Sequence, residues 1–438
     1  MAAILSGAIV PPPGLRRASL AHDTVAVPVT KVFWNATLID GTGRDPQPAM
    51  AVAVEDERIL RVAKTDAYSP PPDAEVIECQ GLTLMPGLTD AHVHLGIVRT
   101  AEAMGRQPPA VLALRIAREI ESTLDAGYTT VRDAAGLDGA WTHAVRAGLV
   151  RGPRILPSGA ALSQTGGHGD QRARFDDGPG ERGIPGLFRF SQLCDSADAV
   201  RLAARENLRR GATQIKVMAS GGVMSPTDEI THAQFTIEEI AAAVGVAKAA
   251  GTYVLAHAYA PHAITSAIEA GVRSIEHGNL LDEATAAVMK ANNTWLVPTL
   301  VTYGTLERTA GPAGIPENMR LKSRRAQEGA NESVRIAMAA GVQIGSGSDL
   351  LGPMQRYKTT ELALKAKLMG NMAALVCATS ANARLFGLED SIGSVAEGKQ
   401  ADLILVRGNP VDDISVLEQA ENVALVMREG SILKRALD

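Results

Sequence analysis

Residues 89–96 read TDAHVHLG, just after the apolar turn LTLMPG. Two imidazoles, His92 and His94, flank Val93. Side chains alternate faces along a strand, so a strand here aims both histidines one way and Val93 the other. Two imidazoles closing an apolar strand suit a metal site at the mouth of a barrel. The plain alternative is a polar strand face reached by chance, and the rest of the chain has to decide.

From about residue 87 to 385, short apolar runs such as YTTVRDAAG, TQIKVMASGG, TYVLAHAYA and VQIGSGSDL alternate with Ala-rich amphipathic stretches such as TIEEIAAAVGVAKAAG. Several of these stretches stop at Gly directly before the next strand. Counting the HxH run as the first strand gives eight βα units, an α/β chain that reads most simply as a (β/α)8 TIM-like barrel. A doubly wound open sheet is the alternative, but no GxGxxG follows an early strand. Both ends of the chain have another texture: KVFWNATLIDG and AMAVAVEDERILRVA near the start, and QADLILVRGNP and NVALVMREGSIL near the end, read as short strands. They predict a small β-sandwich domain built from both termini. The expected division is residues 29–86 and 386–438 for that domain and 87–385 for the barrel. Residues 1–28 are expected to be a leader or arm, with secretion the lesser reading because no basic n-region precedes the apolar run.

The chain has 438 residues, 46% of them hydrophobic, enough for a large core. With 48 acidic and 43 basic side chains the net charge is -5, and aromatics are 3%. Neither basic patches nor stacking platforms are in prospect, which argues against nucleic acid or an anionic membrane as partner. No uninterrupted apolar stretch is long enough to span a bilayer. Cys79, Cys194 and Cys377 form no CxxC pair, so a reducing, cytoplasmic setting is the simpler expectation.

Only nine histidines occur, and five close a strand or lie in the loop after it: His92, His94, His168, His257 and His277. Barrel active sites lie at the C-terminal strand ends. In TQIKVMAS, Ile215 and Val217 share one face, so Lys216 faces the interior. A lone buried ammonium is costly. Lys216 is therefore either salt-bridged or converted by carbon dioxide to a carbamate whose two oxygens can bridge two metal ions. In VLAHAYA, His257 and Tyr259 share a face, and Asp349 closes GSGSD. Imidazoles and a carboxylate suit Zn²⁺ and similar divalent ions. Two such ions would lower the pKa of a shared water, supplying a metal-bridging hydroxide as nucleophile, and polarise a substrate carbonyl. Asp349 beside it could serve as general base and then as general acid.

Together, DAHVHLG, QIKVMASGG, AHAYAPHAI, GVRSIEHGN and GSGSDL resemble the amidohydrolase superfamily over nearly the whole chain. TGGHGD, KVMASGGVMSPTDEI and IEHGNLLDE are similar to its prolidase-like metallocarboxypeptidases and ochratoxinase-type amidases. The resemblance implies that His92 and His94 hold the more buried metal. Lys216, as carbamate, would bridge to a second metal on His257 and His277. Asp349 would ligate the buried metal and carry the proton, and His168 and Tyr259 would bind the substrate's α-carboxylate.

The expected function is hydrolysis of the amide bond of an N-acyl amino acid or dipeptide, an ochratoxin-type aryl amide of phenylalanine being the most specific form. An Xaa-Pro or Xaa-basic dipeptidase and an imidazolonepropionase-like cyclic-amide hydrolase are the alternatives. GGHGD and HAY favour an open chain with a free carboxylate. A non-catalytic scaffold is the reading from another class, and six filled ligand positions argue against it. The resemblance also implies a homo-oligomer, up to an octamer.

Overall fold

A computed structural model describes residues 30–437, apart from 100–103, 105–106, 180–182, 185 and 310–314. The leader or arm expected at residues 1–28 lies outside the described residues. Strands β1 (Lys31–Leu38), β2 (Gln47–Glu55), β3 (Arg58–Lys64), β4 (Glu75–Glu78) and β5 (Leu82–Pro86) open the chain. The middle then alternates: β6 (Leu88–Val93), α1 (Pro109–Asp125), β7 (Tyr128–Asp133), α2 (Gly139–Arg146), β8 (Arg154–Pro157) and β9 (Ala161–Ser163). A short hairpin, β10 (Gly183–Ile184) and β11 (Phe188–Arg189), precedes β12 (Ser191–Leu193) and α3 (Ala197–Arg209). After these come β13 (Ile215–Met218), α4 (Ile237–Ala249), β14 (Val254–Ala258), α5 (Pro261–Ala270), β15 (Ser274–His277), α6 (Glu283–Ala291), β16 (Trp295–Val297), α7 (Val301–Thr309) and α8 (Glu317–Ala339). Further helices lead to β17 (Leu403–Arg407), β18 (Val423–Arg428) and β19 (Ser431–Arg435).

Local chemistry explains the punctuation. Thr236 and Glu239 form a reciprocal capping box at the start of α4, satisfying donors that a helix N-terminus leaves open. Gly271 ends α5 in the left-handed conformation at φ 95.

The strands of both chain ends join one eight-stranded sheet in the order β19-β18-β17-β5-β1-β2-β3, with β4 beside β1. Alternation, with a register shift between Leu405 and Val406, sorts its side chains into two cores. Leu403, Leu405, Leu425 and Met427 pack with Phe33 and Val52. Ile404, Val406, Val423 and Val426 pack with Leu112, Ile116 and Ile120 of α1. Burial on both faces accounts for the unbroken apolar run LILV in place of a polar alternation.

The middle strands are parallel: β6–β7–β8, and β9–β13–β14–β15–β16. The gaps between these groups carry hydrogen bonds. Thr213 N donates to Pro157 O at 2.8 Å. On the far side Ile344 bridges Leu296 in parallel, Ala91 N donates to Ser346 O at 2.7 Å, and Asp349 N donates to His92 O at 2.7 Å. The segment 344–349 therefore lies between β16 and β6, and the C-terminal ends of β6, β13, β14 and β15 meet around one rim.

Candidate metal centre

The rim collects all eight side chains singled out in the sequence. His92 and His94 leave β6 with ring centroids 5.1 Å apart, and His277 lies 5.1 Å from His92. His257 is 4.5 Å from His277, His168 stacks on His257 at 4.3 Å, and Tyr259 stacks on His277 at 5.1 Å. Asp349 Oδ1 is 3.0 Å from Nε2 of His94 and 3.4 Å from Nε2 of His92, and Oδ2 is 3.8 Å from Nδ1 of His277. One donor atom each from His92, His94 and Asp349 fall within 4.8 Å of one another. Lys216 is buried on β13, where Met218 pairs with His257, and it feels Glu276 and Asp349 through charge alone.

Each rim histidine commits one nitrogen to the protein. Nδ1 of His92 meets Glu276 Oε2 at 2.8 Å, Nδ1 of His94 meets Ala135 O at 3.0 Å, and Nε2 of His257 meets Gly221 O at 3.1 Å. These three partners only accept, so a ring proton sits on that side; the opposite nitrogen of His92 and His257 keeps its lone pair, while Nε2 of His94 faces the Asp349 carboxylate. Nδ1 of His277 meets the Thr299 hydroxyl at 2.8 Å. This tautomer setting is what imidazole ligands need.

Burial favours the same neutral form. It holds His277 down to about 3, and together with Lys216 it holds His92 well below the usual imidazole range. Burial, reinforced by His168, does the same to His257. At His94 burial is outweighed by the hydrogen bond and charge of Asp349, which raise it. Asp349 would itself be raised by burial, but His92, His94 and His277 hold it well below the usual carboxylate range. Burial brings the Lys216 ammonium down to about 8, so much of it is free amine in mild alkali.

Two groups were not singled out in the sequence. Glu276 is fully buried, accepts Nδ1 of His92, and receives Arg132 Nη2 at 2.8 Å and Ser274 Oγ at 2.6 Å. Arg132, also fully buried, donates from Nε to Ala91 O at 2.6 Å. Their signal was a charged residue inside each of two buried strands, Arg132 in TTVRD and Glu276 in RSIEH. The second group is the set of polar side chains behind His168 and Tyr259, which come from a loop and a helix with no strand period to reveal them.

His277 and Asp349 both have left-handed backbones, with φ 76 and φ 50. Strict alternation would send Glu276 and His277 to opposite faces, since Ile275 joins the helix-packed core. The left-handed φ breaks the alternation, and both residues reach the interior. Such strain costs on the order of 1–3 kcal/mol and collects at functional sites.

Imidazoles converging with a carboxylate at the C-terminal ends of parallel strands define a metal-dependent hydrolase. The chain belongs to the amidohydrolase family, whose model matches residues 83–433. It is 34% identical over 364 residues to ochratoxinase of Aspergillus niger, covering 80% of this chain and 75% of that protein. Among solved structures, a prolidase complexed with N-methylphosphonate-L-proline superposes with a TM-score of 0.87 at 40% identity, over 93% of this chain and 100% of the other. A Xaa-Pro dipeptidase with methionine bound in its active site gives 0.82 at 31% identity, over 92% and 99%.

Proposed function

We propose that this protein hydrolyses the amide bond of an N-acyl amino acid or dipeptide that bears a free α-carboxylate, using two divalent metal ions. The observation that carries the reading is the donor set: three rim histidines with their protons turned to main-chain or carboxylate acceptors, a fourth against Thr299, and a carboxylate between them. His92, His94 and Asp349 would hold one ion and His257 and His277 the other, with Lys216 as carbamate between them. Zinc suits such nitrogen and oxygen donors. The bound ions would supply Lewis acidity and lower the pKa of the attacking water. Asp349 takes a proton from that water, whose oxygen joins the carbonyl carbon. It then returns the proton to the leaving nitrogen as the C–N bond breaks. His168 and Tyr259, stacked on His257 and His277, hold the carboxylate of the released amino acid.

The similarity to ochratoxinase favours an aryl amide of phenylalanine, and the similarity to prolidase and Xaa-Pro dipeptidase favours Xaa-Pro dipeptides. The hydrogen bonds linking β8 to Thr213, just before β13, and residues 344–349 to β6 support a closed (β/α)8 barrel over 87–385. The separate core of the terminal sheet supports a sandwich-like domain from 29–86 and 386–438.

The test is a panel of N-acyl amino acids, Xaa-Pro dipeptides and their C-terminal amides, offered to enzyme of measured metal content. The free acid should be strongly preferred. A charge-assisted hydrogen bond is worth roughly 1.5–3 kcal/mol, so His168→Ala and Tyr259→Phe should each lower kcat/KM for the acid about tenfold to a hundredfold. Equal turnover of acid and amide by the wild type would remove the carboxylate site and point to a general or cyclic amidase.

A further inference from the structure

His168 and Tyr259 come from different loops, yet the groups that hold them meet on one helix. On the first side, Nδ1 of His168 meets Ser225 Oγ at 2.9 Å, and Ser225 donates in turn to the Asp228 carboxylate. Gln234 ties the two ends of this chain together. Its Oε1 accepts from the His168 main-chain N at 2.9 Å and its Nε2 donates to Asp228 Oδ2 at 2.8 Å. The Lys322 ammonium closes the set, donating to Ser225 O at 2.7 Å and Asp228 O at 3.0 Å, with Asp228 Oδ1 at 3.4 Å. Lys322 and Asp228 are 4% and 5% exposed, so neither charge is serving a surface. The loop also presses on the ring itself: a Cβ on Gly222 would lie 2.2 Å from Nδ1 of His168.

On the second side, the Tyr303 hydroxyl donates to Oη of Tyr259 at 3.1 Å and shares that proton with Oδ1 of Asn279 at 3.2 Å, which leaves the proton of Tyr259 for a ligand. Nδ2 of Asn279 donates to Ala326 O at 2.8 Å, which fixes the amide so that its oxygen faces Tyr303. Lys322 and Ala326 are four residues apart on α8 and therefore lie on one face of it. A buried ammonium and carboxylate are costly unless fully paired, and here the pairing runs through the loop that carries the pressure on His168.

We infer that Ser225, Asp228 and Lys322 are positioning residues that aim the His168 ring, and that Tyr303 and Asn279 aim the Tyr259 hydroxyl, so that helix α8 sets the spacing of a two-armed carboxylate clamp. This rests on the reading of His168 and Tyr259 given under the proposed function. None of the five groups need touch the reacting atoms.

The test uses whichever acid of the panel the metal-loaded wild type cleaves fastest, with its C-terminal amide. Ser225→Ala, Asp228→Asn and Tyr303→Phe are compared with wild type for KM, kcat and bound metal. Loss of one well-aimed hydrogen bond to a carboxylate is worth about tenfold. KM for the acid should rise by about that factor in each variant while kcat stays within about twofold. Amide turnover and metal content should stay unchanged, so the preference for the acid shrinks. Ser225→Thr, which keeps the hydroxyl, should restore KM lost in Ser225→Ala. A wild type that does not discriminate acid from amide overturns the carboxylate reading itself. If it discriminates and the variants keep its KM and preference, the positioning inference alone fails. It fails equally if the variants lose acid and amide turnover together, lose metal or do not fold, because the groups would then only support the fold.

Discussion

At the scale of single residues, Lys216 and Asp349 carry the sharpest expectations. Lys216 is 1% exposed, and burial brings its ammonium down to about 8. As a free amine it can attack carbon dioxide, lose a proton and become an anion matched to two cations. Lys216→Ala should therefore lose metal and activity together, and short carboxylates or bicarbonate should restore part of both. A Lys216→Ala protein that keeps two ions and full turnover would sink the carbamate. Asp349→Asn preserves shape and one donor oxygen but cannot take up a proton. General bases are typically worth about 10²–10⁴-fold, so kcat should fall by at least that range at saturating metal while substrate binding weakens less. Turnover close to wild type would assign the proton transfer to another group.

At the scale of elements, the site depends on how closely β6 and the segment 344–349 approach. A Cβ on Gly347 would lie 2.6 Å from the His92 Cβ, 2.7 Å from Val297 Cγ1 and 2.9 Å from the His92 N. Only glycine lets this segment donate from Asp349 N to His92 O while turning the Asp349 side chain back to the two histidines. Gly347→Ala has to part the segment from β6 by several tenths of an ångström. Metal affinity should fall at least tenfold, a loss typical of disturbed ligand orientation. Calorimetric titration of the metal-free protein would show it, and an unchanged affinity would mean that the rim adapts more freely than its packing suggests.

At the scale of the whole molecule, the guanidinium of Arg154 is one of the ties between the terminal sheet and the strands of the middle. Arg154 of β8 donates at 2.7 Å to each of Thr130 Oγ1, Asp402 Oδ2, Gln400 Oε1 and Glu429 Oε1. Asp402 is 5% exposed, so removing its partner strands a buried charge. Arg154→Met should cost about 3–5 kcal/mol in denaturant unfolding. The pH dependence has a definite sign. Burial would raise the Glu429 carboxyl, but Arg154 and then Arg428 hold it below its ordinary value of 4.5. Its contribution is complete above 4.5 and is lost as pH falls through the lowered folded value. Wild type should therefore lose stability more steeply than Arg154→Met on acidification below that point. Parallel slopes would show that Glu429 is not coupled to Arg154.

Five of the eight rim residues, His92, His94, Lys216, His257 and Tyr259, were legible in the sequence because their signals are local and periodic. HxH at a strand end, Lys216 between two apolar neighbours, and Tyr259 two residues after His257 follow from a period of two, which needs no knowledge of what lies opposite. The same period failed at His277 and Asp349, because φ values of 76 and 50 are imposed on non-glycine residues by their surroundings and not by their own preference. Arg132 and Glu276 stand 144 positions apart, and Lys322 reaches a loop 94 residues before it. None of these charges showed its partner in the chain, and only the contact of Arg132 with Glu276 between β7 and β15, and the seating of α8 on the 221–235 loop, supplied it. Tertiary packing decided them because desolvated charge is tolerable only where an opposite charge is brought within hydrogen-bonding distance.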